Sequence, residues 1–191
     1  MPVKKLIKKV RQALQGGVDT VQLRRWDLSG KDFYTLALRL RKMTGTKKAR
    51  LIINDRLDVA MAVGADGVHL GRGSFPPELA RSILGPGKII SRSVHSLSEF
   101  SRKEEKFLDY LIVSPIFETT SKPGARPVGI DILKKLKGKT RLPLYALGGI
   151  GPGNVHLLKE RACGVAVISA IINHKNPARV AREIKKQLWL N

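Results

Sequence analysis

Two stretches near the end of the chain are the first candidates for chemistry: Leu147-Gly148-Gly149-Ile150-Gly151-Pro152-Gly153-Asn154 and Ile168-Ser169-Ala170-Ile171. Each follows a short apolar run. Glycine lets backbone N–H groups approach an anion closely, and a helix N-terminus adds the positive end of its dipole. The plainer alternative is a pair of tight turns. Other polar groups stand at or just past the ends of apolar runs: Gln22 and Arg24, Asn54-Asp55-Arg56, His69, then Ser93 and His95. The loop after Val113 carries Ser114, Thr119, Thr120, Ser121 and Lys122. Amides, hydroxyls and cations suit an oxygen-rich anion such as diphosphate. Asp55 has two readings. It is a Mg2+ ligand, because that ion commonly takes one or two carboxylates plus substrate phosphates, or it is the N-cap of a following helix. Asp58 and Asp66 read as capping or turn residues. Either histidine could serve as a base, although a lone histidine more often satisfies local hydrogen bonds. Cys163, at a strand start among apolar residues, reads as core.

The elements that must position these groups alternate in type. Val3, Leu6, Ile7, Val10, Ala13 and Leu14 recur at spacings of three and four, the stripe of an amphipathic helix ended by Gly16-Gly17. Positive charges without a following continuous apolar stretch make this segment a first helix and not a targeting signal. Apolar runs then predict strands over 18–23, 50–53, 67–70, 88–91, 110–113, 142–146 and 164–168. Helical spacing predicts helices after Ser29, a candidate N-cap, and over 57–63, 76–84, 97–106, 130–136, 153–161 and 177–188. Strands that are nearly all apolar are buried on both faces, as in parallel sheets. Repeating strand–helix units favour an α/β barrel or a doubly wound sheet, and no G-x-G-x-x-G follows the first strand. The expectation is a TIM (β/α)8-type barrel, one domain over 1–191, lacking its first strand within this chain. In such a barrel reactive groups gather at the C-terminal strand ends, and phosphate often binds after the last two strands.

Composition narrows the partners. The chain has 191 residues, 36 Lys+Arg against 15 Asp+Glu, and a net charge of +21. That excess attracts anions, either small phosphorylated molecules or nucleic acid. The basic residues are spread from Lys4 to Lys186 with no nucleic-acid motif among them, so nucleic acid is the least favoured partner. No run approaches the length of a membrane span. The single cysteine, Cys163, rules out an internal disulfide and a cysteine zinc cluster, which points to a reducing compartment, the cytoplasm.

Four segments in this order, Val21-Gln22-Leu23-Arg24, Ile53-Asn54-Asp55-Arg56-Leu57-Asp58, Gly64-Ala65-Asp66-Gly67-Val68-His69-Leu70-Gly71 and Leu147-Gly148-Gly149-Ile150, resemble the family of thiamin phosphate synthase and its paralogue thiazole tautomerase. Each segment alone is a weak match; the ordered set is specific and spans nearly the whole chain. The resemblance implies a TIM barrel that couples hydroxymethylpyrimidine diphosphate with thiazole phosphate and releases diphosphate. It implies that Gln22, Arg24, Asn54, Ser93 and Lys122 contact the pyrimidine diphosphate, with Arg24, Ser93 and Lys122 the catalytic set. It places Mg2+ on Asp55, Thr119 and Ser121 near the thiazole phosphate, and Gly149, Ile168 and Ser169 around its phosphate. Three positions depart from the synthase pattern: Trp26 stands where the family has lysine, Ser74 where it has a second metal-binding aspartate, and Arg72 where it has glutamine. The tautomerase's catalytic histidine aligns with Pro115. The synthase is the first expectation, the tautomerase the second, and a non-catalytic phosphate-binding paralogue the third. An open strand edge invites association, so a homodimer is expected.

Overall fold

The structure is a computed structural model in which residues 1–121 and 124–189 are described. Seven strands form one parallel sheet in sequence order: β1 (Thr20–Leu23), β2 (Arg50–Asn54), β3 (Gly67–Leu70), β4 (Ile89–Val94), β5 (Tyr110–Val113), β6 (Leu144–Leu147) and β7 (Gly164–Ala166). Helices α1 (Val3–Gln15), α2 (Gly30–Thr46), α3 (Leu57–Ala62), α4 (Pro77–Leu84), α5 (Asp131–Lys137), α6 (Ser169–Ile172) and α7 (Pro177–Trp189) accompany them. Each strand pairs with the next, whereas β1 and β7 are edges with no strand partner among the described residues. The fold is therefore the expected TIM-like barrel, open where an eighth strand would close it.

Local chemistry explains the elements. Ser29 caps α2, its hydroxyl accepting the Asp32 amide at 3.1 Å. Pro76 and Pro77 open α4, where a missing amide costs nothing. The stripe of α1 buries Val10, Ala13 and Leu14. Gly16 lets α1 approach α7 closely, because a Cβ there would lie 2.5 Å from the Ala178 carbonyl oxygen. Leu51, Ile52, Ile53, Val68, Leu70 and Ile90 are sealed in the strands, as expected of a sheet covered on both faces.

Four expectations are corrected. The segment 97–106 is not an α-helix but two 3-10 turns, Leu97–Glu99 and Glu105–Phe107. Its apolar spacing stops at Phe100, too short to hold a helix against the sheet. The helix expected over 153–161 shrinks to a 3-10 turn at Val155–Leu158, because Asn154 is drawn into the preceding loop. Strand β4 runs on to Val94, which puts Ser93 inside the strand. Cys163 is exposed and not core, because it stands at the start of the uncovered edge strand β7.

Candidate active site

Parallel register builds the site. Asn54 of β2, His69 of β3 and Ser91 of β4 are register partners, so they lie in one row across three strands. Ser93 sits two residues beyond Ser91, and strand side chains two apart share a face. Gln22 of β1 donates its amide N–H to Asn54 Oδ1 at 3.0 Å, and Asn54 Nδ2 donates to Asp55 Oδ2 at 2.5 Å. His69, 4% exposed, holds both ring nitrogens against serines: Nδ1 is 2.9 Å from Ser91 Oγ and Nε2 2.8 Å from Ser93 Oγ. Burial pushes its pKa down to about 4, opposed by the Asp55 carboxylate and aided by Arg24. With both ring nitrogens engaged by serines, His69 has no free lone pair to offer a substrate proton.

Asp55 is not the cap of α3. Arg56 takes the N-cap position, and its side chain makes no capping hydrogen bond. With a φ of 59°, Asp55 turns its carboxylate away from the helix, and Oδ1 accepts from the Gly71 amide at 3.2 Å and from the Ser74 hydroxyl. Asp66 accepts from the Leu51 amide at 2.7 Å and from Arg41, and Asp58 pairs with Arg56, so both are structural. Among the described residues no group of three or more His, Cys, Asp and Glu could hold a metal ion. Asp55 offers one preoriented carboxylate, which suits Mg2+ only together with oxygens of a bound phosphate.

The second histidine is placed differently. The His95 ring lies 2.6 Å from the Ser114 carbonyl oxygen, so Nδ1 donates, and its backbone N–H is fixed by Glu99 at 2.8 Å. Among the described residues Nε2 has no hydrogen-bond partner, and His95 lines the cavity. Arg24 lies against the indole of Trp26, its guanidinium carbon 5.1 Å from the ring centroid. Trp26 itself is 70% exposed.

The amide-rich loops come together on the opposite side. Gly148 and Gly149 have φ of 104° and 66°, and a Cβ on Gly149 would lie 2.2 Å from the Glu118 carbonyl oxygen. Only glycine fits there on both counts. Asn154 clamps this loop: Oδ1 accepts from Gly151 N–H and Nδ2 donates to the Gly149 carbonyl, each at 2.9 Å. Thr119, Gly149, Ile150, Gly151 and Ser169 border a recess of about 370 Å3. Ser121 donates its amide to Thr119 Oγ1 at 3.2 Å. Gln22, Arg24, Asn54, Asp55, Ser93, Thr119, Ser121, Gly149, Ile168 and Ser169 all line one cavity of about 1710 Å3, which also reaches the gap between β1 and β7. Lys122 lies outside the described residues. The parts played by Ser91 and Glu99 were not foreseen from the sequence, and Asn154 was marked only as a member of the glycine loop, not as its clamp. Only Asn154, the sole amide in a glycine loop, carried a signal that could have been caught.

An open parallel sheet with glycine-rich loops after β6 and β7 bordering one recess places the chain among the α/β barrel proteins. The family model described as Thiamine monophosphate synthase matches residues 2–171, and the chain belongs to that family. It is 41% identical over 186 residues to the thiamine-phosphate synthase of Clostridium acetobutylicum, covering 95% of this chain and 88% of that protein. It is 42% identical over 186 residues to the thiamine-phosphate synthase of Syntrophomonas wolfei, covering 96% and 88%. The solved thiamine phosphate pyrophosphorylase from Pyrococcus furiosus superposes with a TM-score of 0.87 at 35% identity, covering 95% and 88%. The 3-hexulose-6-phosphate synthase of Salmonella typhimurium, at 17% identity and a TM-score of 0.71, shares the fold.

Proposed function

We propose that the chain is a thiamin phosphate synthase, coupling hydroxymethylpyrimidine diphosphate with thiazole phosphate and releasing diphosphate. The observation that carries this is the convergence of a carboxylate–amide–hydroxyl wall on β1 to β4 and an amide-rich recess after β6 and β7 in one cavity. The bond from the pyrimidine methylene to the diphosphate oxygen breaks first, and the thiazole nitrogen then captures the methylene cation. Arg24, the Asn54 amide and Lys122 supply cations and N–H donors to the departing diphosphate. Ser93 and Gln22 face the pyrimidine. Thr119, Ser121 and the amides of Gly149 and Ser169, with Ile168, hold the thiazole phosphate. Asp55, with Ser74 beside it, would hold Mg2+ together with oxygens of a bound diphosphate, and the ion would supply positive charge to the leaving oxygens.

His95 supports a second reading, because a cavity-facing Nε2 is placed as a base for a proton shift on a thiazole carboxylate phosphate. One incubation separates the two. The synthase gives thiamin phosphate by mass spectrometry, dependent on Mg2+. Isomerisation seen by NMR without coupling hands the site to the tautomerase, and phosphate binding with neither reaction leaves a non-catalytic binder. The chain works as a single domain, as a homodimer, and in the cytoplasm. Unpaired edges on β1 and β7 and a lone cysteine support these assignments. Among the described residues no helix is long and apolar enough to cross a membrane.

A further inference from the structure

We propose that His69 is a positioning residue: it fixes the Ser93 hydroxyl as a hydrogen-bond acceptor towards the cavity, so that the site selects a pyrimidine bearing an exocyclic amino group over its oxo counterpart. The inference rests on the pyrimidine diphosphate reading of the site and deepens it.

Proton direction along Ser91, His69 and Ser93 decides which role the Ser93 hydroxyl takes. A hydroxyl has one proton to donate and lone pairs to accept with. Ser91, fully buried, lies 3.3 Å from the Val68 carbonyl oxygen, which can only accept. The Ser91 proton therefore has two acceptors outside the imidazole, that carbonyl and the hydroxyl oxygen of Tyr110, its register partner on β5. Ser91 Oγ is then left to accept, and its partner at 2.9 Å is His69 Nδ1, which must carry the ring proton. A neutral imidazole protonated at Nδ1 has a lone pair at Nε2. At 2.8 Å from Nε2, Ser93 Oγ donates to it. The chain of donors therefore runs from Ser93 through His69 and Ser91 to the Val68 carbonyl or the Tyr110 hydroxyl, and the half-buried Ser93 is left with lone pairs alone for a ligand. An N–H of the substrate satisfies them, whereas an oxo group would set lone pairs against lone pairs. His69 is sealed at 4% exposure and aligned with Asn54 and Ser91 by strand register, so the ring cannot turn over without breaking both serine contacts.

Two measurements on the full chain test this. Nitrogen-15 NMR of the ligand-free protein should show the His69 ring protonated at Nδ1; protonation at Nε2 reverses the chain and overturns the proposal. Calorimetry should then compare the aminopyrimidine methyl diphosphate with its oxo analogue. The amino compound should bind at least about tenfold more tightly, the scale of one hydrogen bond lost and one acceptor left unpaired. In His69→Phe, which keeps a ring and loses both nitrogens, that preference should fall to within about threefold. If His69→Phe does not fold, Ser93→Ala serves, and it should lose the same preference. Equal binding of the two compounds by the unaltered protein overturns the inference and leaves the pyrimidine site standing. An unchanged preference in a folded variant also overturns it. Binding of neither compound overturns the pyrimidine reading itself and the inference with it.

Discussion

Among the described residues Asp55 is the only carboxylate at the head of the polar row, and its neighbours hold it as an acceptor: the Gly71 amide, the Ser74 hydroxyl and the Asn54 amide all donate to it. Removing the carboxylate leaves those donors unpaired and, on the proposed mechanism, deprives the leaving diphosphate of its ion, so Asp55→Ala should lower coupling by at least about 100-fold in a product assay. Ser74→Asp should act in two directions. Two adjoining carboxylates repel when no cation is present and share one when it is. The variant should melt a few degrees lower without Mg2+, the effect of about 1 kcal/mol in a chain of this size, and reach half-maximal rate at less Mg2+. Thermal melts and titrations with and without the ion check both signs. His69 gives a separate pH signature. Its folded value is about 4 against an ordinary 6.5, so between those values the unfolded chain binds more protons and stability rises with pH. The contribution, on the order of 3 kcal/mol, is complete above about pH 6.5 and lost as the pH falls towards 4. Denaturant melts at pH 7, 5 and 4 should show it, and His69→Phe should lack that limb. The polar residues Gln22, Asn54, Asp55 and His69 of the cavity were legible in sequence because they interrupt or end apolar runs. Ser91 was not, since a serine inside a strand gives no sign that it braces a histidine.

At the scale of elements, the loop after β6 shows how a short segment can be fixed without a helix behind it. The expected helix at 153–161 is reduced to the turn Val155–Leu158. Asn154 spends both ends of its side chain on Gly149 and Gly151. Asn154→Ala removes both bonds and frees the amides that face the recess, so thiazole phosphate should bind roughly tenfold more weakly, while the fold loses about 1 to 2 kcal/mol. Gly149→Ala is more severe. A Cβ meets the Glu118 carbonyl oxygen at 2.2 Å, and φ is 66°. The melting point should drop by several degrees, the mark of a strained backbone position carrying a side chain. Calorimetry and thermal melts on the two variants separate loop order from loop strain: the first should lose binding more than stability, the second both. Helices with a sustained stripe, such as α1 and α2, were legible from spacing alone. The two that vanished had only brief apolar spacing, and their segments are held instead by side chains reaching across loops, as Glu105 does by accepting from Thr140 and the Arg141 amide. Such reach is a tertiary fact that no local window contains.

For the molecule as a whole, the count of seven strands and their sequential order were legible, because each apolar run is short, nearly uninterrupted and followed by a turn. What the sequence left open is how the unpaired edges of β1 and β7 are dealt with. Helices α1 and α7 pack on each other, with α6 also against α1. The cavity nevertheless reaches the gap between the edges, where Cys163 is exposed. Unpaired strand edges favour association, whereas the net charge of +21 opposes it. The balance between them should follow ionic strength, because the Debye length contracts from about 30 Å at 0.01 M salt to about 8 Å at 0.15 M. Two copies of a +21 chain should therefore stay apart in dilute buffer and pair as salt is added, the reverse of an interface held by ion pairs. Sedimentation velocity should show the 21.1 kDa monomer at roughly 0.01 M salt and a species of twice that mass at roughly 0.3 M. A monomer at every salt concentration would rule out the homodimer, and a dimer that salt dissociates would place its contacts on charged surface away from the β1 and β7 edges.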